Sequence, residues 1–395
     1  MKRTTYYLCS LAVACLFALV ACADKENDNY SPPTWSKTFF PLSEWSVASP
    51  IKYGYKADTR DTLDAFLNVS AHAVTGLVVI VGGEMIYSWG AIDKTDISPS
   101  GTGGYLASAR KSILSMIYGK YVDNGTIDLT KTIGELIDTG MIPDDVGGLL
   151  PIEKKATVFD CITARSGVYH LASNTGDDRA IAPPRGSQEP GTYFLYNNWD
   201  FNVSGNIFEA FTGKNIYDAL GTDIAVPIGM EDWDRSRQSK GGTAAISVYQ
   251  AYHFYLSARD IARLGYLMLR GGNWNGTQVI PADWCAQSTA AYTPVSEMIP
   301  ISARTQSWGY GYMWWVWDGP ANRDAFKGAY SAKGAGGQYI TVLPALDMVV
   351  AQKRNADFLG GTSSSSSIYN TYSENSYLQF LRLIAAQQEK PNYLN

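Results

Sequence analysis

From Gly76 the chain runs Leu-Val-Val-Ile-Val, breaks at Gly82-Gly83 and resumes as Glu-Met-Ile-Tyr-Ser-Trp. Two β-rich runs about a Gly-Gly turn predict a hairpin. A Gly-rich approach, Gly101 to Gly104, then leads to a helix headed by Ser108. At about 100° per residue, Ser108, Lys111, Ser112, Ser115 and Gly119 share one narrow stripe, while Ile113, Leu114, Met116, Ile117 and Tyr121 fill most of the remaining circumference. A helix apolar nearly all round is buried, so its small polar stripe is expected to line a cavity. Ser108 would sit at the helix N-terminus, where developing negative charge is favoured. Between about 125 and 245, short helical patterns (Val203 to Phe211, Ile216 to Leu220) alternate with loops broken at Pro183-Pro184, Gly186 and Pro190-Gly191. Ser257-Ala258-Arg259-Asp260 reads as a capping box opening a helix from Ile261 to Arg270, which stops at Gly271-Gly272. Strand-like runs return at Gly311 to Trp317, Gln338 to Leu343 and Leu346 to Gln352, and a last helix spans about Ser376 to Gln388. Strands, helices, strands and a helix, in that order, predict an α+β fold. Both ends of the chain would form an antiparallel sheet flanked by helices, with a mostly helical subdomain inserted between them.

The first residues are patterned differently. Lys2 and Arg3 precede an apolar run from about Leu8 to Ala21, short for a bilayer span, which ends in Leu19-Val20-Ala21-Cys22. That ending resembles the bacterial lipobox, and the resemblance implies a signal peptide over 1–21, cleavage before Cys22 and lipid attachment to it. The charged residues after Cys22, followed by Ser31-Pro32-Pro33, read as a tether over 22–45. The expected location is the cell envelope, on a membrane through the Cys22 anchor, at the periplasmic or outer surface.

With 395 residues and 46% hydrophobic composition the chain can bury a large core. A net charge of −5 and no run of lysine or arginine argue against a nucleic-acid partner. Beyond the signal only Cys161 and Cys285 remain, which fit one disulfide or two separate buried thiols equally well. No His/Asp/Glu cluster has metal-ligand spacing, so neither a metal nor another cofactor is expected. The aromatic run Trp308, Tyr310, Tyr312, Trp314, Trp315, Trp317 is expected to pack both faces of a core strand, and His170 to be a satisfied structural histidine.

The chemistry lies in three short motifs. Ser108 and Lys111, three apart on a helix, share one face. A serine beside a lysine that can lose its proton is an activated nucleophile needing no histidine. The spacing alone is weak, since Ser49-Pro50-Ile51-Lys52 shows it with no buried helix behind it. Tyr196 and Asn198, on a loop after Pro190-Gly191-Thr192, could aim a phenol and an amide into one cleft, although Tyr393-Leu394-Asn395 has the same pattern at the terminus. Ser331-Ala332-Lys333-Gly334-Ala335-Gly336-Gly337-Gln338 runs into a strand, where glycines allow close approach and an edge N–H can serve an oxyanion hole.

In this order the three motifs resemble the serine β-lactamase and penicillin-binding family, nearest its class C-like esterases, D-aminopeptidases and 6-aminohexanoate-dimer hydrolases. Leu256 to Gly265, Gly336-Gly337-Gln338-Tyr339 and Pro227-Ile228-Gly229-Met230 are similar to stretches common in these hydrolases. The resemblance implies a hydrolase domain over 46–390, with an α/β part at about 50–107 and 246–390 and a helical part at about 108–245. It implies Ser108 as nucleophile, Lys111 as base (neutral through burial and neighbouring positive charge), Tyr196 as proton relay and Asn198 as positioner. The backbone N–H groups of Ser108 and Ala335 would hold the oxyanion, with Gly334 and Lys333 beside them on the substrate side. In the family the third motif is commonly Lys-Thr-Gly or His-x-Gly, whereas the matching triplet here is Ala332-Lys333-Gly334. The lysine falls on the middle position, and alternate strand side chains point to opposite faces. That favours an ester or small amide as substrate over a β-lactam or a peptidoglycan stem. Delivery of the acyl group to an alcohol or amine, a β-lactamase or DD-peptidase activity, and a non-catalytic binding lipoprotein are the alternatives.

Overall fold

The computed structural model describes residues 38–69, 72–96, 104–174, 180–354 and 374–389. The signal segment, Cys22, most of the tether and Tyr393 to Asn395 lie outside them. In chain order the first elements are α1 (Thr59–Leu67), β1 (Val74–Val81), β2 (Glu84–Gly90), α2 (Arg110–Asp123), α3 (Ile133–Asp138) and α4 (Val158–Ile162). Next come α5 (Asn198–Thr212), α6 (Ile216–Ala219), β3 (Ser239–Gly241), β4 (Ala251–His253), α7 (Ala258–Leu269), β5 (Asn273–Trp274), β6 (Thr277–Gln278) and α8 (Ala282–Ser288). The chain closes with β7 (Trp308–Tyr310), β8 (Trp315–Trp317), β9 (Tyr330–Gly334), β10 (Gln338–Leu343), β11 (Met348–Arg354) and α9 (Glu374–Ala385).

Seven strands form one sheet in the order β2-β1-β11-β10-β9-β8-β7, every neighbouring pair antiparallel. Both ends of the chain build it and the intervening stretch is mostly helical, which is the expected α+β arrangement. The hairpin turns at Gly82 and Gly83, at φ 61° and 90°, a region in which a side chain is strained.

The period of two along the strands sorts the core into two layers. Val78, Ile80, Ile340, Val342, Val349 and Ala332 pack with α2 and α7. Leu77, Val79, Val81, Tyr339, Leu343 and Val350 pack with Leu63 of α1 and Tyr377, Phe380 and Ile384 of α9. Gly265 of α7 lies so close to the sheet that a Cβ there would sit 2.6 Å from Val349, which is why that helix carries a glycine at mid-length.

Four expectations are corrected. The run from Gly311 to Trp317 is not one strand: β7 and β8 pair as a hairpin, with Gly311 N–H bonding Trp314 C=O at 2.8 Å and Met313 at φ 62°. Its aromatics are nevertheless nearly all buried. Ser257 does cap α7, but the Asp260 carboxylate accepts from the N–H groups of Glu231 (2.9 Å) and Asp232 (3.0 Å) instead of completing a box. The last helix starts and ends earlier, at Glu374 and Ala385. The polar stripe of α2 lines no cavity below its first turn. Ser112 bonds Met313 C=O at 2.6 Å, Ser115 C=O accepts from Trp284 at 2.8 Å, and Gly119 lies against Trp284. Small residues there let α8 pack closely. Cys161 and Cys285 are both buried free thiols.

Candidate active site

Ser108 occupies a single 3-10 turn, Ala107–Ala109, immediately ahead of α2. Ala107 has φ 48°, so the helix cannot continue backwards through it. The approach is held on both sides: Leu106 N–H bonds Phe254 C=O at 3.0 Å and Leu256 N–H bonds Gly104 C=O at 3.0 Å. A left-handed alanine directly before a partly exposed serine is local strain of the kind surrounding structure must maintain.

Lys111, one turn further on, is 1% exposed. Its Nζ lies 2.9 Å from Ser108 Oγ, 2.8 Å from the Tyr196 hydroxyl and 2.8 Å from Asn198 Oδ1. It also lies 4.1 and 4.6 Å from the ring centres of Tyr196 and Phe201. The amide oxygen of Asn198 only accepts, so it holds one N–H of Lys111 in either protonation state. The remaining positions on Nζ face two hydroxyls, each able to give or take a proton. A proton can therefore pass among Ser108, Lys111 and Tyr196 with no movement of heavy atoms beyond hydrogen-bond reach.

Tyr196 and Asn198 are placed by the entry to α5. Asn197 is the helix cap, its Oδ1 accepting from Trp199 N–H at 3.0 Å and its Nδ2 donating to Val168 C=O at 2.7 Å. Asn198 is the first helical residue, and Tyr196 immediately precedes the cap. The ring of Tyr196 packs on Phe201 (5.0 Å), Trp315 (5.1 Å) and Tyr310 (5.8 Å). Sequence reasoning missed this aromatic backing. The alternating aromatics of 308–317 were its only trace, and they gave no hint of which ring would meet the phenol.

The end of β9 closes the site. Gly334 lies against the Ser108 turn, where a Cβ would sit 2.2 Å from Leu106 C=O. The following turn is pinned from β11: Arg354 donates to Gly336 C=O at 2.9 Å and Gln352 to Gly337 C=O at 3.0 Å. Ala335, exposed, is the residue between the Gly334 contact and this pinned turn.

Ser108, Lys111, Tyr196 and Asn198 are thus brought together, with Gly334 against them. Lys333 is not. Its strand neighbours Ala332 and Gly334 face α2 and the Ser108 turn, whereas Lys333 projects to the α9 side and bonds Glu374 Oε2 at 2.8 Å. A place for its ammonium on the substrate side is therefore corrected, and the reason is strand alternation. His170 is buried and structural, its Nε2 facing Val146 C=O at 2.8 Å and its Nδ1 facing Leu171 C=O at 2.9 Å. Among the described residues no group of three or more His, Cys, Asp or Glu could hold a metal ion.

Comparison with known proteins bears on this geometry. Residues 61–355 match the family model described as Beta-lactamase. A solved structure from Bacillus anthracis, described as a candidate 6-aminohexanoate-dimer hydrolase, superposes with a TM-score of 0.58 at 19% identity, covering 87% of this chain and 88% of that one. EstCE1, a hydrolase with promiscuous acyltransferase activity, gives a TM-score of 0.52 at 16% identity over 79% of this chain and 98% of its own. An uncharacterised protein of Alkalihalophilus pseudofirmus is 24% identical over 281 residues, 64% of this chain and 73% of that protein.

Proposed function

The chain belongs to the beta-lactamase family, and from that premise we propose that it is a serine hydrolase acting through an acyl-enzyme on an ester or small amide. The observation that carries the reading is the placement of Lys111 Nζ between Ser108 Oγ and the Tyr196 hydroxyl, at 2.9 and 2.8 Å. In this reading neutral Lys111 takes the Ser108 proton as Oγ bonds to the substrate carbonyl carbon. The backbone N–H groups of Ser108 and Ala335 hold the resulting oxyanion. The carbonyl re-forms as the bond to the leaving alcohol or amine breaks, and the proton reaches that leaving group through the Tyr196 hydroxyl. Water then gives a proton to the same Tyr196–Lys111 pair, attacks the Ser108 ester and releases the acid, and Ser108 recovers its proton.

Support for this substrate class comes from the strand face that meets the Ser108 turn. It carries Ala332, fully buried, and Gly334, with no charged side chain at either position to recruit a carboxylate. A neutral ester or amide therefore suits it better than an anionic β-lactam.

The test is covalent labelling with a fluorophosphonate. Wild type should be labelled on Ser108, and Ser108→Ala should not. Equal labelling of both removes the nucleophile assignment, and no labelling of either leaves a non-catalytic binding protein. Product analysis with added alcohols and amines separates hydrolysis from acyl transfer.

We further propose that the mature protein is lipidated at Cys22 and tethered in the cell envelope. The support is the Leu19-Val20-Ala21-Cys22 pattern behind an apolar run. Mass analysis of the mature N-terminal peptide tests it: an unmodified Cys22, or a chain retaining residues 1–21, refutes it.

A further inference from the structure

Lys333 is the charged residue of the third motif, the mechanism leaves its side chain unused, and its surroundings are specific. Its Nζ lies 4.4 Å from the ring centre of Trp308 and 4.4 Å from that of Trp315. Glu374, at the start of α9, binds the ammonium through Oε2 at 2.8 Å and accepts the Trp308 indole N–H on Oε1. One carboxylate therefore gathers a cation and an indole, and the cation is shared between two indoles. Burial disfavours the charged form of Lys333, and Glu374 acts against that.

Trp315 is the link to the site. Its ring centre lies 5.1 Å from that of Tyr196 at an interplanar angle of 40°, and 5.1 Å from Tyr310 at 78°. Tyr196 in turn bonds Lys111 at 2.8 Å. A cation against one indole favours a fixed ring orientation, because attraction to the ring quadrupole depends on geometry. Trp315 is only partly buried, so packing alone encloses it less than Trp308 or Trp317. The register completes the arrangement, since Trp315 pairs directly with Ser331, two residues before Lys333 on the same strand face.

We propose that Lys333, held by Glu374, is a positioning residue: it fixes the Trp315 indole as the backing of Tyr196 and so acts on proton transfer through Trp315, without touching substrate. This rests on the serine-hydrolase reading above. The lysine is displaced by one position from where the family commonly places a cleft cation. Here it supports the phenol from behind the cleft.

The experiment uses the full-length protein and a fluorophosphonate probe, followed over a range of pH, with a neutral ester where turnover is found. Lys333→Met removes the charge at similar volume, Lys333→Arg keeps it, Glu374→Gln loosens it, and Trp315→Phe removes the intermediary ring. Lys333→Met should slow labelling and kcat by about ten- to a hundredfold, the upper figure being the scale for misplacing a reacting group by about 1 Å. The pH dependence should shift, KM should change little, and Lys333→Arg should recover most of the rate. Adding Lys333→Met to Trp315→Phe should cost little more than Trp315→Phe alone. A KM rise confined to carboxylate-bearing esters would make Lys333 a substrate ligand. A lowered Tm with unchanged rate and pH profile would make it structural only. Either outcome, or full additivity of the two substitutions, overturns the proposal. Ser108→Ala is run beside them: if it still labels, the catalytic reading fails, whereas an inert Ser108→Ala with a silent Lys333→Met removes only this inference.

Discussion

Gly334 closes on the carbonyl of Leu106 so tightly that a Cβ at residue 334 would lie 2.2 Å from that oxygen and 3.3 Å from the amide nitrogen of Ala109. The obstructing atoms are backbone on either side of Ser108, and they cannot swing away as a flexible side chain would. Gly334→Ala should therefore push the Ser108 turn off β9, destabilising the protein by about 2 kcal/mol. It should also slow fluorophosphonate labelling more than any loss of folded protein explains. Thermal melting and labelling on the same preparation check this. Normal labelling at normal stability would mean that the turn tolerates displacement.

Ala107 gives the opposite sign. At φ 48° its Cβ is strained, and glycine has no such cost. Ala107→Gly should raise stability by up to about 1 kcal/mol in denaturant titration, offset in part by the greater freedom of glycine in the unfolded chain. If the strain is used to hold Ser108, labelling should slow despite that gain.

Lys111→Met and Tyr196→Phe separate the two proton carriers. Lys111→Met removes the group that takes the Ser108 proton, and acylation should fall at least about a thousandfold. Tyr196→Phe keeps the ring packed on Phe201 and Trp315 and removes only the hydroxyl. It should spare stability and weigh more on amides than on activated esters, because a poor leaving group needs the proton. Rapid quench with paired ester and amide substrates reads this directly.

His253 supplies a pH dependence of stability. Burial, with the Arg110 guanidinium adding to it, pushes its pKa from 6.5 down to about 4. The unfolded chain therefore binds a proton that the folded one refuses between those values. Stability from this group is complete above pH 6.5 and is lost as pH falls toward 4, by on the order of 1–2 kcal/mol at pH 5. Its Nδ1 lies 3.1 Å from the Tyr105 hydroxyl. His253→Gln should flatten the acid side of a stability-against-pH curve from denaturant melts and leave the alkaline side unchanged.

The thiols of Cys161, in α4, and Cys285, in α8, are both free and buried, and burial raises both pKa values, that of Cys285 to about 12. A thiol reagent should label either residue only after unfolding, as read by peptide mass. Reductant should leave the melting temperature unchanged.

The fold class was legible because apolar spacing is a local property. Leu77 to Val81 and Gln338 to Leu343 can bury alternating faces only as strands, and α2 is apolar around too much of its circumference to lie on a surface. The same locality explains the misread aromatic run, since the reversal at Gly311 to Trp314 depends on Met313 donating to Ile162 C=O, a partner far away in sequence. For Asp260 too, the sequence offers a cap, but a buried pair of N–H groups from Glu231 and Asp232 competes for the carboxylate and wins.

Residue type and spacing by themselves determined that Ser108 and Lys111 share a helical face, that Tyr196 and Asn198 stand two apart, and that Lys333 faces the opposite way from Ala332 and Gly334. These follow from helical rotation and strand alternation, which need no knowledge of the rest of the chain. Only the tertiary structure decided that Lys111 and Tyr196, 85 residues apart in sequence, meet at 2.8 Å, that Glu374 captures Lys333, and that Trp315 is the ring between that cation and the phenol. Such contacts arise where distant elements pack, and no local period along the chain encodes which side chains will meet there.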